Sequence, residues 1–168
     1  MVSTVTNLPF RQVVPGLAKD EEASSVRRSG SITGSYSLRD GINRERKKAG
    51  LSSLIELPTL VLIARARCLE LLPGEYFGHV DLSGASRYYD LLKLHGVMYS
   101  WAGENLAKNN YPDSESADRA LASLMKSPTH RENILFPEYT HAGTAHVVSP
   151  DGMHFFCTIF VAQFQWGA

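Results

Sequence analysis

The sequence predicts an α+β domain with helices packed on an antiparallel sheet. Apolar residues recur at helical spacing in several segments between residues 37 and 135. Two strand-like segments, "HAGTAHVVS" and "MHFFCTIFVAQF", close it. The turn signal "PDG" joins them, because proline presets φ and glycine accepts positive φ. Helices followed by a hairpin, in a chain of 168 residues of which 43% are apolar, indicate a single globular domain.

Five helices are predicted ahead of the hairpin. They are Ser37–Ala49, a second that begins at Pro58 and ends before Pro73-Gly74, Ala85 to about Leu94, one capped by Asp113 or Ser114, and one that begins at Ser127. The second carries an apolar stripe of Leu60, Ile63, Ala64, Cys68 and Leu71. The stretch "GVMYSWAGENLAKNN" is predicted as a turn and a short element. Residues 1–35 are predicted as a flexible N-terminal arm and residues 36–168 as the compact domain.

The composition excludes several classes of function. Seventeen basic residues balance seventeen acidic ones, so no global positive field attracts nucleic acid. The best apolar run, "LVLIA", stops at Arg65 and is too short to span a membrane. The N-terminus lacks a recognisable signal peptide, which leaves two interpretations open: an intracellular protein, or one whose signal was removed. Phosphate-loop, dinucleotide, His-Glu-x-x-His and Gly-x-Ser-x-Gly motifs are missing from the sequence.

The two cysteines allow two interpretations. A bond between Cys68 and Cys157 would close a long loop and contribute roughly 4–5 kcal/mol in the chain-entropy model. Both residues also lie in apolar contexts, "RARCLELL" and "HFFCTIF", which suit buried free thiols equally well. Without a Cys-x-x-Cys pair, thiolate zinc and redox motifs are excluded.

The stretch "LMKSPTHRENIL" places a histidine just inside a helix start. Ser127 is the expected N-cap and Pro128 the first helical residue. The positive end of the helix dipole disfavours an imidazolium, so His130 is expected to be neutral. The Ser127–His130 spacing raises the possibility of a serine hydrolase. We argue against it, because an N-cap hydroxyl is expected to accept hydrogen bonds from the helix N–H groups.

Five motifs in order carry a family resemblance. They are "INRERKKAGLSSL", "FGHVDLSG", "GENLA", "LMKSPTHRENIL" and "YTHAGTAHV". With them the chain resembles the CAP superfamily of cysteine-rich secretory, antigen-type venom and pathogenesis-related proteins, and in particular its short bacterial form. The resemblance covers Ser37 to about Phe164. It implies a three-layer α-β-α sandwich around a central antiparallel sheet, and a secreted or cell-envelope location.

The resemblance also implies a cleft that holds two histidines and two glutamates and can bind a divalent metal. By motif, these positions are His79, Glu104 and His130, while Ser127 stands where the second glutamate is usual. Two imidazoles and a carboxylate suit Zn²⁺ with an open position for water. Ser127, Asn105 and Arg131 are expected in or around the cleft. Judged by residue type alone, His79 is a loop histidine that caps a backbone group, and Asn105 satisfies local backbone. His146 and His154 are expected at exposed strand positions without a role.

The expected function is binding of a small or lipidic ligand, or of a protein partner, in the His/Glu cleft of a monomer, with an optional divalent metal. Catalysis is not favoured, and neither nucleic acid nor a membrane span is expected. One alternative is a metal-assisted hydrolase acting on peptide or cell-wall material. The other is a recognition module with a vestigial cleft. An apolar groove beside the trio would favour lipid binding, an open metal position would favour hydrolysis, and a buried, fully hydrogen-bonded trio would favour the vestigial interpretation.

Overall fold

The structure, a computed structural model, describes residues 33–163, with side chains described from Leu38 onward. The helices and strands of this part of the chain are α1 Thr33–Lys48, β1 Ile55–Glu56, α2 Pro58–Leu71, α3 Arg87–Leu94, β2 Tyr99–Asn109, α4 Asp113–Lys126, α5 Pro128–Ile134, β3 His141–Val148 and β4 His154–Gln163. The predicted arm, residues 1–35, lies outside the described residues except for its last three, which open α1. None of the helices described is long and apolar enough to cross a membrane.

The sheet has the strand order β1-β3-β4-β2. The predicted hairpin is confirmed: β3 and β4 pair antiparallel, with Thr144 opposite Thr158. On its other side β4 pairs antiparallel with β2, with Glu104 opposite Ile159. The two-residue β1 joins β3 in parallel. The predicted antiparallel sheet is therefore confirmed for the three long strands, and β2 lies at its edge.

Two apolar clusters, one on each face of the sheet, form the predicted sandwich. One cluster joins α1, α4 and α5 to the sheet through side chains such as Leu38, Ile42, Leu121, Ile134 and Phe156. The other joins α2 and α3 through Leu60, Ile63, Leu92, Phe155 and Ile159. The central strand β4 is covered on both faces, which explains its continuous apolar run. The three-layer α-β-α architecture is confirmed.

The prediction of a turn and a short element was wrong for "GVMYSWAGENLAKNN". The chain instead forms β2, an eleven-residue strand. Gly103, Glu104 and Asn105 stand at its centre, and all three residue types are uncommon in strands. Glu104 faces one helical layer and Asn105 faces the other. The alternation of apolar and polar residues that normally reveals a strand is therefore missing from this stretch.

Helix starts also differ in detail from the prediction. The residue that caps α4 is Pro112, and its extended backbone precedes the helix without any side-chain cap hydrogen bond. Asp113, predicted as a cap, is instead the first helical residue, where the positive end of the helix dipole stabilises its negative charge. The first helix begins at Thr33 and the third at Arg87, within a few residues of the predicted starts.

Arg46 fixes the connection between α5 and β3 from inside the protein. Its fully buried guanidinium donates to the carbonyls of Ser52, Ile134, Phe136 and Tyr139 at 2.9–3.1 Å. Burial lowers the pKa of Arg46, but the four carbonyl dipoles satisfy its N–H groups. The end of α5 is therefore held in place by a residue of the first motif.

Candidate functional site

His79 lies next to both of the other predicted site residues, Glu104 and His130, beside β2. Glu104 faces the layer of α2, and its neighbour Asn105 faces the layer of α5. The loop after α2 brings His79 to β2 from one side, and α5 brings His130 from the other. The ring centroids of the two histidines are 6.4 Å apart, with 34° between the ring planes.

Both oxygens of the Glu104 carboxylate accept hydrogen bonds from buried side chains. Oε1 accepts from Arg67 Nε at 2.7 Å, and Oε2 lies 2.7 Å from His79 Nδ1. Since an ionised carboxylate only accepts, Nδ1 carries the hydrogen and Nε2 of His79 faces away from Glu104. The exposed fraction is 1% for Glu104 and 0% for Arg67. The carboxylate therefore orients His79 from a dry environment.

Arg67 is a site residue that the sequence analysis missed. Its guanidinium also donates to Glu70 at 2.6 Å and to the Gly78 carbonyl at 2.8 Å, which ties α2 to the loop of His79. Burial would lower the pKa of Arg67, but the charge and hydrogen bond of Glu104 outweigh burial and raise it. The sequence did contain a signal for this role: Arg67 lies one turn after Ile63, on the apolar stripe of α2 that faces the core. A cation at such a buried position needs an acidic partner.

Ser127 does not cap α5 with its side chain, so the predicted role of its hydroxyl was wrong. Its Oγ is hydrogen-bonded to Nδ1 of His130 at 2.8 Å, and the start of the helix has no side-chain cap hydrogen bond. The reason is geometric: residues three apart on a helix lie on the same face, so the imidazole reaches the hydroxyl. Each histidine of the site thus has its Nδ1 held by a protein group.

A second hydrogen-bond chain holds the backbone of His130. Asn105 Nδ2 donates to the His130 carbonyl at 3.1 Å, and Asn133 Nδ2 donates to Asn105 Oδ1 at 2.9 Å. The Tyr139 hydroxyl donates to Asn133 Oδ1 at 2.9 Å. Gly103 leaves room for this chain, since a Cβ there would lie 2.5 Å from Asn133 Oδ1. Asn105 therefore supports the backbone of His130, which lies 25 residues further along the chain.

Three other predicted features lie away from this buried centre. Arg131 is exposed on α5. The predicted exposure of His146 and His154 was wrong: His154 is buried, His146 is half-buried, and Nε2 of His146 lies 2.7 Å from Nδ1 of His154. Both rings stack with Phe156 beneath α4, because all three lie on one face of the hairpin. Burial and then the neighbouring His154 lower the pKa of His146 to about 4.

Both cysteines are buried free thiols, so the disulfide interpretation does not apply. The Cys157 thiol lies against the site, 3.7 Å from Glu104 Oε1. Burial, and then the charge of Glu104, raise the pKa of Cys157 well above its usual value. The same two causes raise the pKa of Cys68 to about 12. Neither thiol is a nucleophile at neutral pH.

The arrangement bears directly on metal binding. Among residues 33–163, no group of three or more His, Cys, Asp or Glu side chains is placed to hold a metal ion. The carboxylate of Glu104 does not fit as a third ligand, because Arg67 and His79 already engage its two oxygens. At the position matched to the second glutamate, Ser127 supplies only a neutral hydroxyl.

Several bacterial and parasite proteins resemble this chain in sequence or in fold. The uncharacterized protein YkwD of Bacillus subtilis is 36% identical over 107 residues, which are 64% of this chain and 40% of that protein. The chain thus spans less than half of that relative. An extracellular protein of Bacillus anthracis containing an SCP domain superposes with a TM-score of 0.66 at 22% identity, over 78% of this chain and 41% of that one.

Two further structures share the fold at lower identity. An outer surface protein of Borrelia burgdorferi has a TM-score of 0.68 at 19% identity, over 82% of this chain and 98% of that one. Manganese-bound Ac-ASP-7, an Ancylostoma-secreted protein, has a TM-score of 0.55 at 14% identity, over 83% of this chain and 74% of that one. The model of the cysteine-rich secretory protein family matches residues 39–164. The chain is therefore a member of the CAP family of cysteine-rich secretory proteins.

Proposed function

We propose that this CAP domain is a binding module of a secreted or cell-envelope protein and does not turn over a substrate. Its location is supported by the fold relatives that are described as extracellular or outer-surface proteins. Its role is supported by the state of the Glu104 carboxylate, which is buried and accepts from Arg67 and His79. A carboxylate held in this way orients a histidine; it does not receive a metal or a proton from a substrate.

The ligand or partner is expected at the loop of His79. His79 is 6% exposed, whereas Glu104 and His130 are each 1% exposed. Next to His79, Val80 and Leu82 are exposed apolar side chains, at 48% and 80%. Apolar side chains presented beside a polar site suit a small or lipidic ligand or a protein partner.

The loop that presents these side chains is ordered by a short hydrogen-bonded turn. Asp81 Oδ1 accepts from the Ser83 amide at 2.9 Å, from the Ser83 hydroxyl at 2.6 Å and from the Ala85 amide at 3.1 Å. The Asp81 amide in turn donates to the Ala85 carbonyl at 2.9 Å. A loop preorganised in this way loses little conformational entropy when it binds.

A metal-assisted hydrolase is the second candidate, and one observation favours it. Nδ1 of His79 is held by Glu104, and Nδ1 of His130 is held by Ser127. Metal-binding histidines commonly have their second ring nitrogen oriented by such a partner. A divalent metal held by the two imidazoles would supply Lewis-acid chemistry.

Calorimetric titration separates the two candidates. Metal-free protein is titrated with Zn²⁺ and with Mn²⁺, beside His79→Ala, His130→Ala and the exposed control His95→Ala. A binding module whose histidines serve as supports gives no stoichiometric heat with any of the four proteins. One equivalent of metal bound by the wild type and by the His95 variant, and by neither site variant, would contradict the proposal and support the hydrolase.

A further inference from the structure

A second pair of histidines lies on the hairpin of β3 and β4, away from the site of His79 and His130. Nε2 of His146 lies 2.7 Å from Nδ1 of His154, and the two ring centroids are 5.0 Å apart. The centroid distance is thus the nitrogen distance plus about one ring radius on each side, so the rings lie side by side. Their planes differ by 13°, and both rings stack with Phe156. The two nitrogens therefore face each other along a single hydrogen bond.

One hydrogen fits between these two nitrogens. A ring nitrogen either donates or accepts, so one of the two must present its lone pair, and the ring that does so carries no positive charge. The pair can thus hold one added proton with its hydrogen bond intact. A second added proton would place two N–H groups head to head at 2.7 Å, which breaks the hydrogen bond.

His154 is the ring of the pair that faces a negative charge. Oδ1 of Asp113, the first residue of α4, lies 3.4 Å from Nε2 of His154. An added proton is therefore favoured on His154, whose Nδ1 then donates to Nε2 of His146. The Asp113 side chain is 90% exposed, so this ion pair alone is weak, and the contact between the two rings is the main part of the cluster.

Other charged groups on the surrounding elements have partners of their own. They are Arg39 with Glu56 and Glu45 with Lys48 on α1, Glu115 with Arg119 and Asp118 with Arg44 on α4, Lys108 with the Phe77 ring on β2, and Asp151 with Ser149 in the hairpin turn. The charges that act on His146 are those of His154 and Asp113. Burial and then His154 lower the pKa of His146, and Asp113 opposes them, with a net pKa of about 4. Charging both rings is therefore unfavourable while they stay packed.

The start of α4 lies on the same side of the sheet as this pair. Ala117 of α4 and Phe156 belong to one apolar cluster, and the two imidazoles stack with Phe156. The first residue of the helix, Asp113, faces His154. A separation of the rings would therefore disturb the surface on which the first turns of α4 are packed.

We propose that His146 and His154 form an acid-operated latch between the hairpin and the start of α4. The closed latch holds at most one added proton, on His154, and a second proton separates the two rings and loosens the first turn of α4. This inference goes beyond the proposed binding function. It uses no residue of the His79 site, so the latch and the binding function can fail independently.

The first test is a titration of both rings from pH 8 to pH 4, followed by ¹H–¹⁵N NMR. At pH 8 we expect the hydrogen on Nε2 of both rings, and the first proton should charge His154 and move the hydrogen of His146 to Nδ1. Asp113→Asn should lower the midpoint of this first step by about 0.3 pH units or more, because it removes the facing charge. The matched control Asp118→Asn makes the same charge change at an exposed position of α4 and should shift the midpoint less than half as much.

The second test is hydrogen exchange of the first turn of α4. The amides of Glu115 and Ser116 donate to the Pro112 carbonyl in this turn. Their protection should fall about tenfold or more between pH 6 and pH 4, while the amides of α2 keep theirs. In His146→Gln, whose amide takes up no proton, the fall should be less than about twofold.

Two results would overturn the inference. One is a single midpoint at which both rings become charged, because the closed pair would then hold two added protons. The other is unchanged protection of the first turn of α4 at a pH where the ring signals show that His146 is charged. Urea unfolding of each variant confirms that the variant is folded. Asp113→Asn changes an exposed side chain, so the ring titration stays decisive even if His146→Gln fails to fold.

Discussion

Replacing Arg67 by methionine removes the cation that faces the buried carboxylate of Glu104. Methionine fills part of the volume on the apolar stripe of α2, so the main effect is electrostatic. Glu104 would keep only His79 and the weak thiol donor of Cys157, in a position that is 1% exposed. Breaking a buried ion pair by removing one partner costs about 3–5 kcal/mol. The Gly78 carbonyl loses its donor as well, which adds about 1 kcal/mol.

The expected loss is therefore about 4–6 kcal/mol of unfolding free energy, a large share of the 5–15 kcal/mol typical of a domain. Urea unfolding at pH 7, followed by tryptophan fluorescence, measures the loss.

Two further variants make the test specific. Arg87→Met removes a partner of Glu70 at 2.8 Å, but that arginine is 31% exposed, so its loss should cost less than about 1 kcal/mol. Adding Glu104→Leu to Arg67→Met removes the unpaired charge and should recover at least half of the lost stability. Equal losses of stability for Arg67→Met and Arg87→Met, or a double variant no more stable than Arg67→Met alone, would contradict an electrostatic role for Arg67.

Three more predictions concern other parts of the fold. Gly103→Ala should lower stability by about 2–4 kcal/mol, since its Cβ would displace Asn133; an unchanged urea midpoint would contradict this. His146 has its pKa lowered to about 4 in the folded state, so the unfolded chain takes up a proton first and stability falls as the pH drops from about 6.5 to 4. In urea unfolding, the stability of the wild type should fall by about 1–3 kcal/mol more than that of His146→Gln over this pH range, and equal falls in the two proteins would contradict the prediction. Cys68 and Cys157 should resist a thiol reagent in the native state and both react in urea without reductant, whereas no reactive thiol in urea would indicate a disulfide.

The helices and the hairpin were predictable because local patterns specify them. The start of α2 follows from Pro58, and its apolar residues recur at helical spacing over the buried face. The hairpin follows from the turn before Gly152, whose φ of 82° suits glycine. These features depend on neighbours in the sequence, so the sequence alone was enough.

The strand β2 and the state of Glu104 depend on distant contacts. Glu104 is buried because Arg67, 37 residues earlier, and His79, 25 residues earlier, both reach it. No periodic pattern in "WAGENLA" reveals such partners, and the resemblance supplied only the position of the glutamate. The hydrogen bond that the Ser127 hydroxyl makes likewise depends on the orientation of the His130 ring. The motifs thus supplied the positions of His79, Glu104 and His130, whereas Arg67 and the hydrogen-bond partners required the three-dimensional arrangement.

The most direct test is ¹H–¹⁵N NMR of the rings of the two site histidines. We expect His79 to carry its hydrogen on Nδ1, donated to Glu104, and the ring signals of His79 and His130 to stay unchanged when one equivalent of Zn²⁺ is added. A hydrogen on Nε2 of His79 in place of Nδ1, or a shift of both rings on metal addition, would contradict the role of Glu104 and Arg67 as hydrogen-bonded supports of this site.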